Sequence, residues 1–323
     1  MEIDMKKIVI VIAALLAISC SNSKPTEVKL LYWNIQYAMW ADQGNNYDNF
    51  VEYVKGVAPD ICVWCEAKTH YPTGGNKSFK LTDELYLPEH WGDVAARYGH
   101  KYTYVGGDRD FHPQVITSRY PIENVERFVG DDSVVVTHGS GWARIDINGK
   151  KVNVVTGHTW PQKYGFGVDS NDKEAVQASI AADEGHRCRA KEVQWICEHT
   201  ILTDPDESSN FWMMLGDMNS RSRLDTDHYK YPEDSPLYWA QDYMATTPYI
   251  DAMHRFHGGA YTRSHANGDR IDYIYLNQAL YGHLTGIETV FEGYPENKKV
   301  AWGEDKTIWV PSDHYPIVAD FKL

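Results

Sequence analysis

The sequence predicts an α/β chain of the α+β type, built as two packed β-sheets with helices outside them. Three observations carry this. Short apolar or alternating segments recur along the whole length, only a few helical stretches interrupt them, and the connections are tight rather than regularly βαβ. No Ser/Gly/Pro linker and no shift of composition divides residues 28–323, so these segments belong to one domain.

In chain order, Val28 to Asn34 alternates and reads as a strand. Asn49 to Val57 carries Phe50, Tyr53, Val54 and Val57 on one helical face, and Ala58-Pro59-Asp60 breaks it. Ile61 to Glu66 is a buried strand, and Asp93 to Tyr98 is weakly helical. Tyr102 to Val105, Gln114 to Thr117, Ser133 to Val136, Gly141 to Ile147 and Val152 to Thr156 read as strands. Asp172 to Leu202 is the one long helical region, broken near Gly185. Phe211 to Leu215 is a buried strand, and Pro236 to Tyr243 a short helix. Arg270 to Leu276, Thr285 to Phe291 and Tyr315 to Phe321 complete the strands.

The first residues read as a targeting segment. Lys6 and Lys7 precede the apolar run Ile8 to Ile18, which is too short for a stable membrane span and suits a signal-peptide core. Ala17-Ile18-Ser19-Cys20 resembles a bacterial lipobox, which makes residues 1–19 a signal peptide, Cys20 a lipidated mature N-terminus and residues 20–27 a tether. The mature chain then has 323 − 19 = 304 residues, expected as a monomer lipid-anchored in a bacterial cell envelope. Of the remaining cysteines, Cys62 and Cys65 lie three apart on a strand and face opposite ways, so they read as buried thiols rather than a pair. Cys188 and Cys197 lie on a helical stretch, with their pairing open. No second close Cys/His pair has the spacing of a zinc site. The formal net charge of −14 argues against tight non-specific binding of a polyanion.

Asn34, Glu66, His158, Asp217 and Asn219 end or follow apolar runs, Asp313 and His314 precede one, and Asp272 lies inside Arg270-Ile271-Asp272-Tyr273-Ile274. An ionisable group at the end of a buried strand is costly there unless it is paired or binds metal. A set of them at matching edges points to one shared site. Carboxylate oxygens suit a hard divalent cation, and phosphoryl transfer needs a cation, a base for water and donors for developing charge.

Trp33-Asn34, Pro59-Asp60 through Cys65-Glu66, Thr117-Ser118-Arg119-Tyr120-Pro121-Ile122, Gly157-His158, Gly216-Asp217-Met218-Asn219, Arg270-Ile271-Asp272-Tyr273-Ile274 and Ser312-Asp313-His314-Tyr315-Pro316-Ile317-Val318 occur in one order along the chain. In that order they resemble the endonuclease/exonuclease/phosphatase superfamily, the deoxyribonuclease I-like group, over about Val28 to Leu323. The resemblance implies a four-layer sandwich and a hydrolase of phosphate esters that uses one or two divalent ions, Mg²⁺ or else Mn²⁺ or Ca²⁺. It implies Glu66 as the main metal ligand with Asn34 beside it, and Asp313 supporting a metal or its waters. His314 becomes the general base and Asp272 its orienting partner. Asp217 orients the nucleophile, Asn219 donates to a phosphoryl oxygen, and His158 binds the phosphate or protonates the leaving oxygen.

The segment departs from the family at Cys65, where glutamine is common, and at Thr159-Trp160-Pro161, where leucine follows the histidine. Residues 159–183 and the loop around Asp225-Thr226-Asp227-His228 are also extended. Those loops would rim the cleft and set the substrate. Lys68 reads equally as a solvated lysine or one that reaches a substrate phosphate. Trp160, Tyr229 and Trp239 could stack on a ring or sugar, although ordinary packing accounts for them as readily in a chain with 11 Trp and 22 Tyr. Arg119 reads as a tie between loops and Asp60 as a turn or cap residue. The acidic charge favours a small phosphoester or lipid head group over nucleic acid. A nuclease of the same fold and a catalytically silent binding module are the competing readings.

Overall fold

The computed structural model describes residues 25–39, 42, 46–68, 89–106, 112–163, 167–169, 171–295, 300–302, 306–308 and 312–323. The segment expected to be a signal peptide and the expected lipidation site, Cys20, lie outside these. The strands are β1 (Glu27–Asn34), β2 (Ile61–Cys65), β3 (Tyr102–Val105), β4 (Val115–Ser118), β5 (Ile122–Gly130), β6 (Val135–Ile147), β7 (Lys150–His158), β8 (Phe211–Asp217), β9 (Ile250–Asp251), β10 (Asp272–Leu276), β11 (Leu284–Thr289), β12 (Val300–Trp302), β13 (Lys306–Ile308) and β14 (Ile317–Lys322). The principal helices are α1 (Asp48–Val57), α2 (Glu89–Arg97), α3 (Lys173–Ala182), α4 (Gly185–Glu198) and α5 (Trp239–Met244).

One six-stranded sheet has the order β11-β14-β1-β2-β4-β3, the other β5-β6-β7-β8-β10-β9. Both are mixed: β1 and β2 run parallel, as do β7 and β8, while the other pairs are antiparallel. The sheets meet face to face over Leu30, Tyr32, Val63, Cys65, Ile145, Val154, Leu215, Ile274 and Phe321. α1 and α2 cover the outer face of the first sheet through Phe50, Val54 and Trp91 packed on Trp33 and Trp64. α4 and α5 cover the second through Val193, Ile196, Ala240 and Met244 packed on Trp212 and Met214. This is the four-layer sandwich expected from the strand count and the period of the apolar residues. Each fully buried Leu, Ile or Val adds about 1.5–3 kcal/mol, so both faces of both sheets contribute.

Two expectations are corrected. Residues 133–136 and 141–147, read as separate strands, belong largely to one strand, β6, which runs on through Thr137 to Ser140, where no apolar residue marks it and Gly139 takes a φ of 77°. β5 was absent from the sequence reading. It is an edge strand with a mostly exposed face and only Phe128 buried, so its polar composition gave no alternation to follow. Asp60 does tie the first sheet together. Its Oδ2 accepts from the Lys29 backbone N–H at 2.9 Å, and its Oδ1 lies 3.1 Å from Arg119 Nη1. Cys62 and Cys65 are buried free thiols on opposite faces of β2. Cys188 and Cys197 are free as well. Among the described residues no helix is long and apolar enough to cross a membrane.

Candidate functional site

The strand register brings the polar strand ends to one rim of the two sheets. Asn34 ends β1, and Glu66 follows the parallel strand β2. In the second sheet His158 ends β7 in register with Asp217 at the end of β8, and Asp217 faces Asp272 at the start of antiparallel β10. Close approach of β7 to β8 depends on glycine: a Cβ on Gly216 would stand 1.8 Å from the Gly157 carbonyl oxygen. His314 precedes β14, beside β1. Its place is fixed by three bonds: Trp33 Nε1 donates to its carbonyl at 2.8 Å, its N–H donates to Ser312 Oγ at 3.1 Å, and Ser312 Oγ donates to the Asn34 carbonyl at 2.6 Å.

Asn34 joins the two sheets. Its buried amide Nδ2 lies 3.3 Å from Glu66 Oε1, 3.1 Å from Asp217 Oδ2 and 3.4 Å from His314 Nε2. Glu66 and Asn219 both hold left-handed backbone, at φ 54° and 45°, a conformation that costs about 1–2 kcal/mol outside glycine. Such outliers concentrate at functional sites. The Tyr37 N–H donates to Glu66 Oε2 at 3.2 Å, while the Asn219 N–H donates to Asp217 Oδ1 at 2.9 Å. Asn219 Nδ2 donates to the Thr159 carbonyl at 3.2 Å.

His314 and Asp272 form a buried dyad, with Nδ1 2.7 Å from Oδ2. Asp272 is in turn held by Tyr32, whose hydroxyl donates to Oδ1 at 2.6 Å, and by Ser264, whose hydroxyl donates to Oδ2 at 2.8 Å. With its proton on Nδ1, His314 presents the Nε2 lone pair toward Asp217 Oδ2, 3.6 Å away. Burial opposes protonation of the imidazole, yet the charges of Asp272, Asp217 and Asp313 and the Asp272 hydrogen bond together hold its pKa well above the usual range. Asp217 is pushed up to about 7, first by burial and then by the charge of Asp272. Asp313 is drawn below the usual carboxylate range: burial raises it, but a hydrogen bond from His265 and the charges of His314 and His265 outweigh that.

His158 sits on the other side of Asp217, with Nε2 3.8 Å from Oδ2. Its ring lies 4.2 Å from that of His138, which lies 4.6 Å from that of His112. Among the described residues, two groups of side chains are close enough to hold a metal ion: Asp217, Asp272 and His314, and His265, Asp313 and His314.

All eight residues predicted for catalysis or metal binding therefore stand along one rim, linked by the contacts above. The four substrate-binding candidates are more dispersed. Lys68 is buried two residues beyond Glu66. Trp160 follows Thr159 directly, its N–H donating to Glu192 Oε2 at 3.0 Å, and Lys163 Nζ stands 4.3 Å above its ring. Tyr229 is built into loop packing: its hydroxyl accepts from the Arg270 N–H at 2.9 Å and lies 3.3 Å from the Tyr261 hydroxyl. Trp239 starts α5 and is 43% exposed, with no hydrogen bond to this rim among the described residues. Sequence reasoning missed Tyr32, Ser264, His265, His138 and His112. Tyr32 is indistinguishable from any core aromatic in an alternating strand. Ser264 and His265 precede Asp272 in a loop without pattern, although their proximity to it in sequence was a usable signal.

The chain matches no family model and no curated protein. Solved structures do match it. An AP endonuclease from Archaeoglobus fulgidus superposes with a TM-score of 0.59 at 17% identity, covering 92% of this chain and 100% of that one. An endonuclease/exonuclease/phosphatase from Beutenbergia cavernae gives 0.59 at 15% identity, covering 92% and 72%. Humanized TDP2 from D. rerio gives 0.52 at 12%, covering 92% and 99%.

The fold is deoxyribonuclease I-like. At these identities the likeness establishes the architecture, and the chemistry rests on the side chains at the rim. Their fit to a cation can be judged from the donors. Asp217, Asp272 and Asp313 stand around His314, Asn34 links Asp217 to Glu66, and burial and the charge of Asp272 push the Asp217 pKa up to about 7. Carboxylates outnumber the single imidazole, His314, among these groups, and an oxygen-liganded divalent cation offsets that excess of negative charge.

Proposed function

We propose that the protein is a divalent-metal-dependent hydrolase of phosphate esters. The observation that carries this is the buried His314–Asp272 dyad, whose free nitrogen faces Asp217 and Asn34 beside the Glu66 carboxylate. Three structural neighbours, an AP endonuclease, an endonuclease/exonuclease/phosphatase and a humanized TDP2, share the fold and so support the reading. Glu66, with Asn34 and Asp313 in support, would hold Mg²⁺ or a related ion. When bound, that ion neutralises charge on the phosphoryl oxygens and makes a water easier to deprotonate.

The chain's own residues do the rest. His314 Nε2 accepts a proton from the attacking water, and Asp272 stabilises the imidazolium that forms. Asp217 accepts a hydrogen bond from that water and so aims it. Asn219, whose amide has a second N–H beyond the one given to Thr159, donates to a phosphoryl oxygen. His158, across Asp217 from His314, contacts the phosphate or passes a proton to the leaving oxygen.

The net charge of −14 favours a small phosphoester or lipid head group over nucleic acid. A lipid on Cys20 would hold the enzyme at a bacterial envelope membrane. Turnover of bis-p-nitrophenyl phosphate, p-nitrophenyl phosphate, sphingomyelin, inositol phosphates and plasmid DNA, each with Mg²⁺ or Mn²⁺, tests the function. His314→Ala should abolish the activity found, whereas undiminished turnover in that variant would remove the proposed base. Preference for DNA with steep salt dependence would select the nuclease reading, and no turnover with either metal the silent module. Cys20→Ser should move the protein from the membrane to the soluble fraction, and continued membrane retention would reject the anchor.

A further inference from the structure

The second group able to hold a metal ion differs in kind from the Glu66 side of the site. His265 lies in the loop before β10 and pairs with His314 across an isolated antiparallel bridge. Their rings stand 4.7 Å apart, edge to face. Asp313 lies between them: His265 Nε2 is 3.5 Å from Asp313 Oδ2, and His314 Nε2 is 3.9 Å from Asp313 Oδ1. Ligands about 2.1 Å from a tetrahedral ion stand about 3.4 Å from each other. The two contacts to Asp313 lie about 0.1 and 0.5 Å beyond that spacing, and all three donor atoms lie within 4.8 Å of one another, so small side-chain rotations close the set.

We propose that His265, Asp313 and His314 form a transition-metal site that borrows Asp313 from the edge of the Glu66 centre, is selective for Zn²⁺-class ions, and silences the enzyme when occupied. Two imidazoles and one carboxylate with a fourth position open form a zinc-type donor set, whereas Mg²⁺ takes oxygen ligands. The outer shell is already built. His314 donates Nδ1–H to Asp272 Oδ2 at 2.7 Å, and a carboxylate partner of this kind fixes the tautomer that leaves Nε2 as ligand. An entry path exists too, since the His265 and Asp313 side chains are 19% and 24% exposed. The alternative group of Asp217, Asp272 and His314 is fully buried, and its Asp272 oxygens are taken by Tyr32, Ser264 and His314. His265 Nδ1 accepts the Asn267 N–H at 3.2 Å. Metal at Nε2 moves the imidazole proton to Nδ1, and the Asn267 amide, on an exposed turn, then turns to water.

The inhibition follows because Nε2 of His314 has one lone pair. An ion that takes it removes the base, so this half of the proposal rests on the function proposed above. Binding itself does not. The experiment titrates the full chain, with Mg²⁺ in excess, with Co²⁺ and follows the visible d–d absorption of tetrahedral cobalt, then displaces it with Zn²⁺. Zn²⁺ inhibition of turnover is measured in parallel. His265→Ala and His265→Gln are compared with the parent, with near-UV circular dichroism reporting their folding. The expected result is one strong cobalt site, displaced by zinc and weakened at least tenfold in either variant, with the zinc inhibition constant raised by the same factor. Equal cobalt spectra and zinc affinities in parent and folded variants would overturn the site. A cobalt site lost in both variants while no phosphoester is cleaved would keep the site and reject the hydrolase reading. Cobalt binding with the expected loss but no zinc inhibition would overturn the silencing.

Discussion

Replacing Asp272 by asparagine tests the dyad with the least change of shape. The amide can be seated in one way that keeps the geometry. Its oxygen takes the Oδ2 position, where it still accepts from Ser264 and His314, and its NH₂ points to the Tyr32 hydroxyl. What disappears is the negative charge. Asp272 Oδ2 stands 2.7 Å from His314 Nδ1 in a buried site, which puts the centres of the two charge distributions about 4 Å apart. At an effective dielectric constant of about 20, such a pair is worth about 4 kcal/mol. The imidazolium that forms as water is deprotonated loses that support, so kcat should fall about 10³-fold. The sign of the pH effect follows from the same charge. A general base works when neutral, so the acid limb of kcat/KM tracks the His314 pKa, which Asp272 raises. In Asp272→Asn that limb should move to lower pH even as the plateau falls. The assay is a kcat/KM profile on the best substrate of the panel, for parent and variant at one metal concentration. A loss below tenfold with the acid limb in its old place would refute the dyad as the proton-transfer device.

Two further outcomes concern stability. Asp217 has a folded pKa raised to about 7 against an unfolded value near 3.9, so its ionisation destabilises the metal-free fold as pH climbs from about 4 through 7. Asp217→Asn should therefore raise the unfolding free energy of metal-free protein in urea at pH 8 by on the order of 1–3 kcal/mol, while added Mg²⁺ should stabilise the parent more than the variant. A variant less stable than the parent at pH 8 without metal would contradict the charge argument. Arg270 bonds the buried carboxylates of Asp225, at 2.8 and 2.6 Å, and Asp251, at 2.6 Å, and so pins the loops beside Asp272. Arg270→Met leaves both acids without that partner and should cost about 3–5 kcal/mol by denaturant unfolding. A loss under 1 kcal/mol would mean that the triad is not a tie.

Much of the candidate site was legible because its residues close apolar strands. Asn34, Glu66, His158 and Asp217 each follow a run that must be buried, and a polar group in that position calls for a partner. The residues that hold those groups in place were less visible. Tyr32 points into the space between the sheets and reads as core, yet its hydroxyl carries Asp272. His265 lies on a loop that no periodicity describes, yet chain pairing sets it against His314.

The period of the apolar residues set out the layers, and polar residues closing those runs marked the chemical groups. That information is local: a two-residue repeat states which face of a strand is buried, and nothing about which strand lies beside it. Strand pairing in three dimensions is what aligns His158, Asp217 and Asp272 on β7, β8 and β10. It alone brought Asn34, 280 residues before His314 in the chain, within 3.4 Å of its ring. Pairing across such separations is fixed by how two whole faces pack, a collective property that no single stretch of residues contains.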